Sequence, residues 1–499
     1  MLREEKAITG DVVLKTKILA DGLRDIYLNF YENLHIDSLF IDNLPCRYEQ
    51  LPKNLKILST RPFSLYDTIA IRVVYHGNPK NLGFSSFVFG EINGTSMVST
   101  LSEPYYSSTW YPCDDRPDDK AFLDMYITSD SMYTSVSNGK LMDVSDKEAK
   151  RTYHYKTFYP IAPYLICLYS SKYSHFSETY ISAAKDTMPI DYYAIPKHLE
   201  SAKLDFIGHP KMISFFSQLY GEYPFIKEKY GVAEFLWQGG AMEHQTITGI
   251  GTSFVRGRGN YEEIYVHELS HHWFGNCVSP LSWKDIWLNE GFATYSEALY
   301  IEHERGNSAF EAKMLTLKLP AYSGTIYNPV FDLFSPTIYY KGAWILHMLR
   351  FEVGDSVFFS ILRQYFDAYK YSNASTDNFI KVAEKVSQRD LTQFFEQWVY
   401  KGTNFIEATY KWKVTKSESK EAAYSVELTM QQIQEDYPCY QVPLELEWKF
   451  DDSPVPEVRR IYLNQKNETF NFSFKNKPQS VMVNKHLNVL GEFTEIQTP

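Results

Sequence analysis

The sequence predicts an α+β multidomain fold in three parts: a β domain, a mainly helical domain, and a second β domain. Three observations carry that expectation. A chain of 499 residues exceeds what one ordinary core holds, so it should divide into domains. Residues 1 to about 190 read as strands and turns, after which the texture changes to helix. Beyond about residue 405 strand texture returns for the last 95 residues, enough for a small sandwich.

The elements follow in order. "GDVVLKTKI", "IYLNFY", "DTIAIRVVYHG" and "RTYHYKTFY" alternate and are rich in β-branched and aromatic residues, which suits a β-saddle or sandwich over residues 1–191. Helical periodicity marks "PKHLESAKLDFIGHPKMISFFSQLYGEYP", "GNSAFEAKMLTLKL", "YYKGAWILHMLRFEVG" and "LTQFFEQWVYKG" within residues 192–404, with Gly354 and Gly402 as expected helix stops. "IEATYKWKVTK", "YSVELTMQQI", "VPLELEWKF", "RRIYLN" and "SVMVNKH" read as the strands of a C-terminal β-sandwich, residues 405–499.

Composition excludes some functions. A net charge of −11 without a long basic run disfavours nucleic acid and anionic membrane as partners. No stretch approaches the ~20 apolar residues of a membrane span, and "MLREEKAITG" lacks the apolar core of a signal peptide. A cytoplasmic location is the expectation, although a cleaved leader would leave the same sequence. The five cysteines are scattered and odd in number, so neither a disulfide framework nor a cysteine-ligated zinc is expected.

The chemistry concentrates in "NYEEIYVHELSHHWFGN", residues 260–276. Asn260 with Glu263 reads as an N-cap and its reciprocating acid, so a helix should start before the histidines. Residues four apart share a helix face, so His267 and His271 can bind one ion together. Glu268 is one step round the helix, beside that ion, and His272 points away as a structural residue. Glu290 in "WLNEGFATYSEALYIEH" follows His271 after 18 intervening residues. Two imidazoles, one carboxylate and a water form a hydrolytic zinc set, whereas structural zinc sites are closed by four protein ligands. Zinc-bound histidines usually donate their second nitrogen to an acceptor, and Glu297, two helical turns after Glu290, is a candidate.

"GGAMEH" (239–244), "HELSHHWFGN" and "WLNEGFATY" together resemble the aminopeptidase N family of gluzincin zinc metallopeptidases, which includes the leukotriene hydrolase branch. "SEPYYSSTWYPCDD" (102–115) is similar to the family's stretch ending in Pro-Cys-x-Asp, and "YYKGAWILHML" (339–349) to its Tyr-x-Lys-Gly-Ala helix. The resemblance implies a thermolysin-like catalytic domain holding one Zn²⁺ per chain on His267, His271 and Glu290. It implies Glu268 as general base and then acid, and Tyr339 as the hydroxyl that stabilises the developing oxyanion. It places Glu243 and Glu103 around the substrate's α-ammonium, with Gly239, Gly240 and Ala241 beside the extended peptide backbone. Peptides with a free N-terminus are the implied substrates.

Several residues depart from the family pattern. His244 replaces an asparagine, Leu101 a glutamine and Arg116 an acid. The resemblance leads to the expectation that the further helical domain that covers the cleft in many relatives is absent here, and that a second copy of the chain could cover the cleft instead. An endopeptidase, an epoxide hydrolase, and a silent peptide-binding protein remain as rivals. The last is disfavoured because Glu268, Tyr339 and all three ligands are present.

Overall fold

The computed structural model describes residues 1, 3–259, 262–330, 332–417, 423–451 and 453–496. The expected helix cap at Asn260 lies outside the described residues. The chain forms two compact units, residues 1–282 with 369–373, and residues 283–368 with 374–499.

The first unit begins with antiparallel sheets. Thr68–Gly77 runs between Ile8–Lys17 and Leu34–Ile41, and Leu44–Pro45 forms the edge. Ile69, Ile71, Val73 and Tyr75 all face the core at 3% exposure or less, which is the period-two alternation of "DTIAIRVVYHG". Asn54–Phe63 pairs with Leu23–Asn29 and Arg47–Gln50 in a second sheet. Thr95–Ser99 pairs with Val88–Ile92 and with Leu168–Ser171 in a third.

A mixed five-stranded sheet follows, in the order Ser174–Ile181, Thr187–Ala194, Tyr230–Phe235, Thr248–Gly251, Ala241–Met242. Tyr230–Phe235 is parallel to both neighbours and wholly buried, as a central parallel strand should be. Ala241–Met242 lies antiparallel at the edge. Helices α1 (Leu199–Asp205) and α2 (His209–Tyr220) precede the third strand of this sheet, and α3 (Glu262–Ser270) comes after its last.

The second unit carries α4 (Trp287–Arg305), α5 (Asn307–Thr316), α6 (Gly342–Val353), α7 (Asp355–Tyr369), α8 (Thr376–Ser387) and α9 (Thr392–Phe395). Residues 287–296 of α4 and 342–349 of α6 are buried on every side, so these are core helices and show no single apolar stripe. Gly354 ends α6 with φ +85°, a conformation that favours glycine. Gly402 follows a π-helical turn, Glu396–Lys401, in an extended conformation.

The C-terminal sandwich sets Ile406–Lys416, Tyr424–Gln432, Asn467–Phe474 and Gly491–Glu495 against Ser453–Leu463, Val442–Phe450 and Pro478–Val483. Val426, Leu428 and Met430 of one sheet and Leu444, Leu446 and Trp448 of the other are fully buried. Trp448 closes the core against Phe472 and Phe474, with ring centroids 5.5 and 5.2 Å away. The fold class read from the sequence is therefore the one found: an N-terminal β region, a mainly helical middle region and a C-terminal β-sandwich. The five cysteines are free thiols. No helix among the described residues is long and apolar enough to cross a membrane.

Candidate active site

The two histidines project from the end of α3. The His271 N–H donates to the His267 carbonyl at 3.3 Å, so the helical turn continues one residue past Ser270 and keeps both imidazoles on one side. Their ring centroids are 4.8 Å apart. His271 Nδ1–H donates to the Phe274 carbonyl at 3.2 Å, which leaves Nε2 as the nitrogen with a lone pair to give. Glu290 stands in the first turn of α4 and is 3% exposed. The ligand atoms of His267, His271 and Glu290 all lie within 4.8 Å of one another. Two imidazole nitrogens and one carboxylate oxygen this near one another are the donor types of a hydrolytic zinc site, which leaves a fourth position for solvent.

Ligand atoms of Glu243, Glu268 and His271 also lie within 4.8 Å of one another, as do those of Glu103, Glu243 and Glu290. Four carboxylates, Glu103, Glu243, Glu268 and Glu290, thus converge at 3–6% exposure. Ionised carboxylates this close and this dry repel one another and have lost their water. A dication and an ammonium group together supply three of the positive charges such a cluster needs.

Gln238 and Gly239 form a turn, and Gly240 leads from it into Ala241, the first residue of the edge strand. A Cβ on Gly240 would lie 3.0 Å from the Trp237 ring, tighter than an ordinary contact, so the indole would have to give way to a larger residue here. Asn276 Nδ2 donates to the Glu243 carbonyl at 2.6 Å and fixes the backbone that carries this acid. His244 is fully buried, with Nδ1 2.5 Å from the Tyr169 hydroxyl. Burial pushes its pKa down to about 3, so at neutral pH it places no positive charge beside Glu243. The other departures are Leu101, an ordinary core residue at 1% exposure, and Arg116, an exposed partner of Asp114. Glu297 accepts from Lys313 Nζ at 2.6 Å in a mostly buried ion pair, while the Phe274 carbonyl is the acceptor at His271.

Two family models match. Residues 2–165 fit the peptidase M1 N-terminal domain, and residues 208–398 fit the peptidase family M1 domain. The chain belongs to peptidase family M1.

Among the M1 relatives, the probable aminopeptidase 2 of Sulfurisphaera tokodaii is 24% identical over 411 residues, 77% of this chain and 52% of that protein. Rat glutamyl aminopeptidase is 25% identical over 441 residues, 80% of this chain and 46% of that protein. The chain spans about half the length, or less, of the curated relatives it matches. Among solved structures, Legionella pneumophila aminopeptidase A in complex with aspartic acid superposes with a TM-score of 0.84 at 16% identity, covering 99% of this chain and 58% of that one. An M1 zinc metallopeptidase mutant from Deinococcus radiodurans, bound to a Tyr-Ser-Ala substrate, gives 0.68 at 23% identity, covering 79% of this chain and 90% of that one.

In this M1 chain Tyr339 lies in a π-helical turn, Thr337–Lys341, that runs straight into α6. Turns of this kind occur frequently at functional sites because they re-aim a side chain. Tyr339 and Tyr340 are both half-buried. The fully buried Lys341 donates from Nζ to the Gly402 carbonyl at 2.6 Å and pins the turn from inside. Burial holds that amine well down, at about 7.

The crossing of α4 and α6 fixes where Glu290 and Tyr339 stand. A Cβ on Gly342 would lie 2.8 Å from the Gly291 Cα, and one on Gly291 would lie 2.9 Å from the Gly342 Cα. Two backbones meet here with no side chain between them. Gly342→Ala must push the helices apart, so we expect a loss of roughly 1–3 kcal/mol in chemical denaturation. Because Glu290 adjoins this contact, zinc retention in a chelator competition should fall as well. An alanine variant with wild-type stability and wild-type metal affinity would refute the account.

The sequence reading gave no role to Gly291, Gly342, Asn276 or Lys341, although each sits inside a quoted motif. The available signal was a glycine in the body of each of two apolar helical stretches, where it is costly unless something approaches closely.

Proposed function

We propose that this chain is a zinc-dependent aminopeptidase that hydrolyses the N-terminal peptide bond of peptides. One observation carries the reading: a two-histidine, one-carboxylate metal set that shares buried space with three further carboxylates. The first part calls for a dication with an open position. The second calls for another cation, and the α-ammonium of a peptide is one the substrate brings itself.

His267, His271 and Glu290 would hold the zinc. When bound, it supplies a Lewis acid and makes a water acidic near pH 7. Glu268, buried beside His271, takes the proton of the attacking water and hands it to the departing amine nitrogen. Glu243 and Glu103 hold the substrate's ammonium by charge-assisted hydrogen bonds, which sets the first peptide bond at the reacting position. The edge strand Ala241–Met242 can pair with an extended peptide main chain. The Tyr339 hydroxyl donates to the carbonyl oxygen as negative charge grows on it.

A panel of aminoacyl chromogenic amides tests the reading. Turnover should vanish with a chelator and return when zinc is restored. A purified, active sample without metal would overturn it.

A further inference from the structure

We propose that His272 is a positioning residue: its buried ring ties the backbone of α3 at Glu268 to the backbone of the Glu243 loop at Thr246, and so fixes the substrate's amine relative to the reacting bond. The inference rests on the proposed peptidase reading for the roles of Glu268 and Glu243. Its geometry stands apart from that reading.

The His272 ring is fully buried, and both of its nitrogens are used. Nε2 accepts from the Thr246 N–H at 3.0 Å, so the ring proton sits on Nδ1. Nδ1–H donates to the Glu268 carbonyl at 3.3 Å. Tyr223, Phe225 and Tyr230 surround the ring at centroid distances of 5.7, 5.9 and 5.0 Å and fix its plane. One neutral imidazole therefore bridges two backbones that lie 22 residues apart in sequence, from Thr246 to Glu268.

The loop it grips needs external support. Thr246 has φ +67°, a left-handed conformation that a β-branched residue holds only when its surroundings impose it. Those surroundings act on each residue in turn. Asn138 Nδ2 donates to the Gln245 carbonyl at 2.7 Å, and the Gly139 N–H donates to Thr246 Oγ1 at 2.9 Å. Lys229 Nζ, also buried, reaches Thr246 Oγ1 at 3.3 Å. These three bonds anchor the loop to the scaffold. The His272 bond is different, because the same ring also holds the residue proposed as general base. Without it the loop would keep its scaffold contacts and lose its registration to Glu268.

His272→Phe keeps the ring contacts and removes both nitrogens. At wild-type zinc content, KM for a free-amine aminoacyl amide should rise about tenfold while kcat stays within about threefold. Backbone amides of residues 243–247 should exchange hydrogen about tenfold faster. His272→Gln, which restores an acceptor, should recover part of both effects. An unchanged KM with unchanged exchange overturns the proposal, and so does a loss confined to kcat and zinc content. Should the phenylalanine variant fail to fold, His272→Asn, whose shorter amide falls short of Thr246, is read by the same two measurements with the same outcomes. A wild-type protein without metal-dependent turnover would sink the peptidase reading instead, and the exchange measurement would then decide the positioning role by itself.

Discussion

Glu268→Gln should lower kcat by ~10²–10⁴-fold, with KM nearly unchanged and zinc still bound at one per chain. The substitution is close to isosteric, so the buried site at the end of α3 keeps its packing. It removes only the capacity to accept a proton. Because Glu268 has Glu243 and His271 within 4.8 Å, the change also removes one of several crowded buried negative charges. Thermal stability should therefore hold or rise, which separates a lost base from a lost fold. The measurements are steady-state kinetics on an aminoacyl amide, metal content and a melting curve on the same sample. A variant turning over within tenfold of wild type would mean that another group accepts the proton.

Second in size is the response of the amine clamp. N-acetylation of the substrate should abolish turnover, and Glu243→Gln should reduce kcat/KM for free-amine peptides by ~10²–10⁴-fold, the equivalent of about 3–5 kcal/mol for breaking a buried ion pair. Glu243 is 3% exposed, and the Asn276 amide holds its backbone, so little solvent or motion is on hand to compensate. The loss should be much smaller for any substrate whose amine is already neutral. This experiment also separates the aminopeptidase from an endopeptidase using the same metal set. Cleavage of a blocked peptide at a rate near that of the free one would favour the endopeptidase and remove the purpose assigned to Glu243 and Glu103.

Local chemistry was legible wherever one short segment carried it. His267 and His271 share a face because four residues make about one helical turn, and His272, one step further round, is turned into the core. The exposure alternation of Thr68–Gly77 followed equally directly from its residue types. Contacts between distant segments were not legible. His244 differs from the family's asparagine in one letter, yet its meaning lies in a tyrosine 75 positions away in sequence. Glu297 also pairs with Lys313, a partner on another helix that spacing along α4 does not name.

What the sequence determined by itself is the order of β, helical and β regions and which residues are candidates for metal binding and acid–base chemistry, because side-chain periodicity and ligand chemistry are local properties of the chain. The tertiary structure decided how these groups are held. The glycine contact between α4 and α6, the buried Lys341 under the tyrosine turn, and the His272 bridge from Glu268 to Thr246 each join segments brought together only by packing. Packing chooses among many possible neighbours for a buried donor or a bare backbone, and no pattern within a single segment encodes that choice.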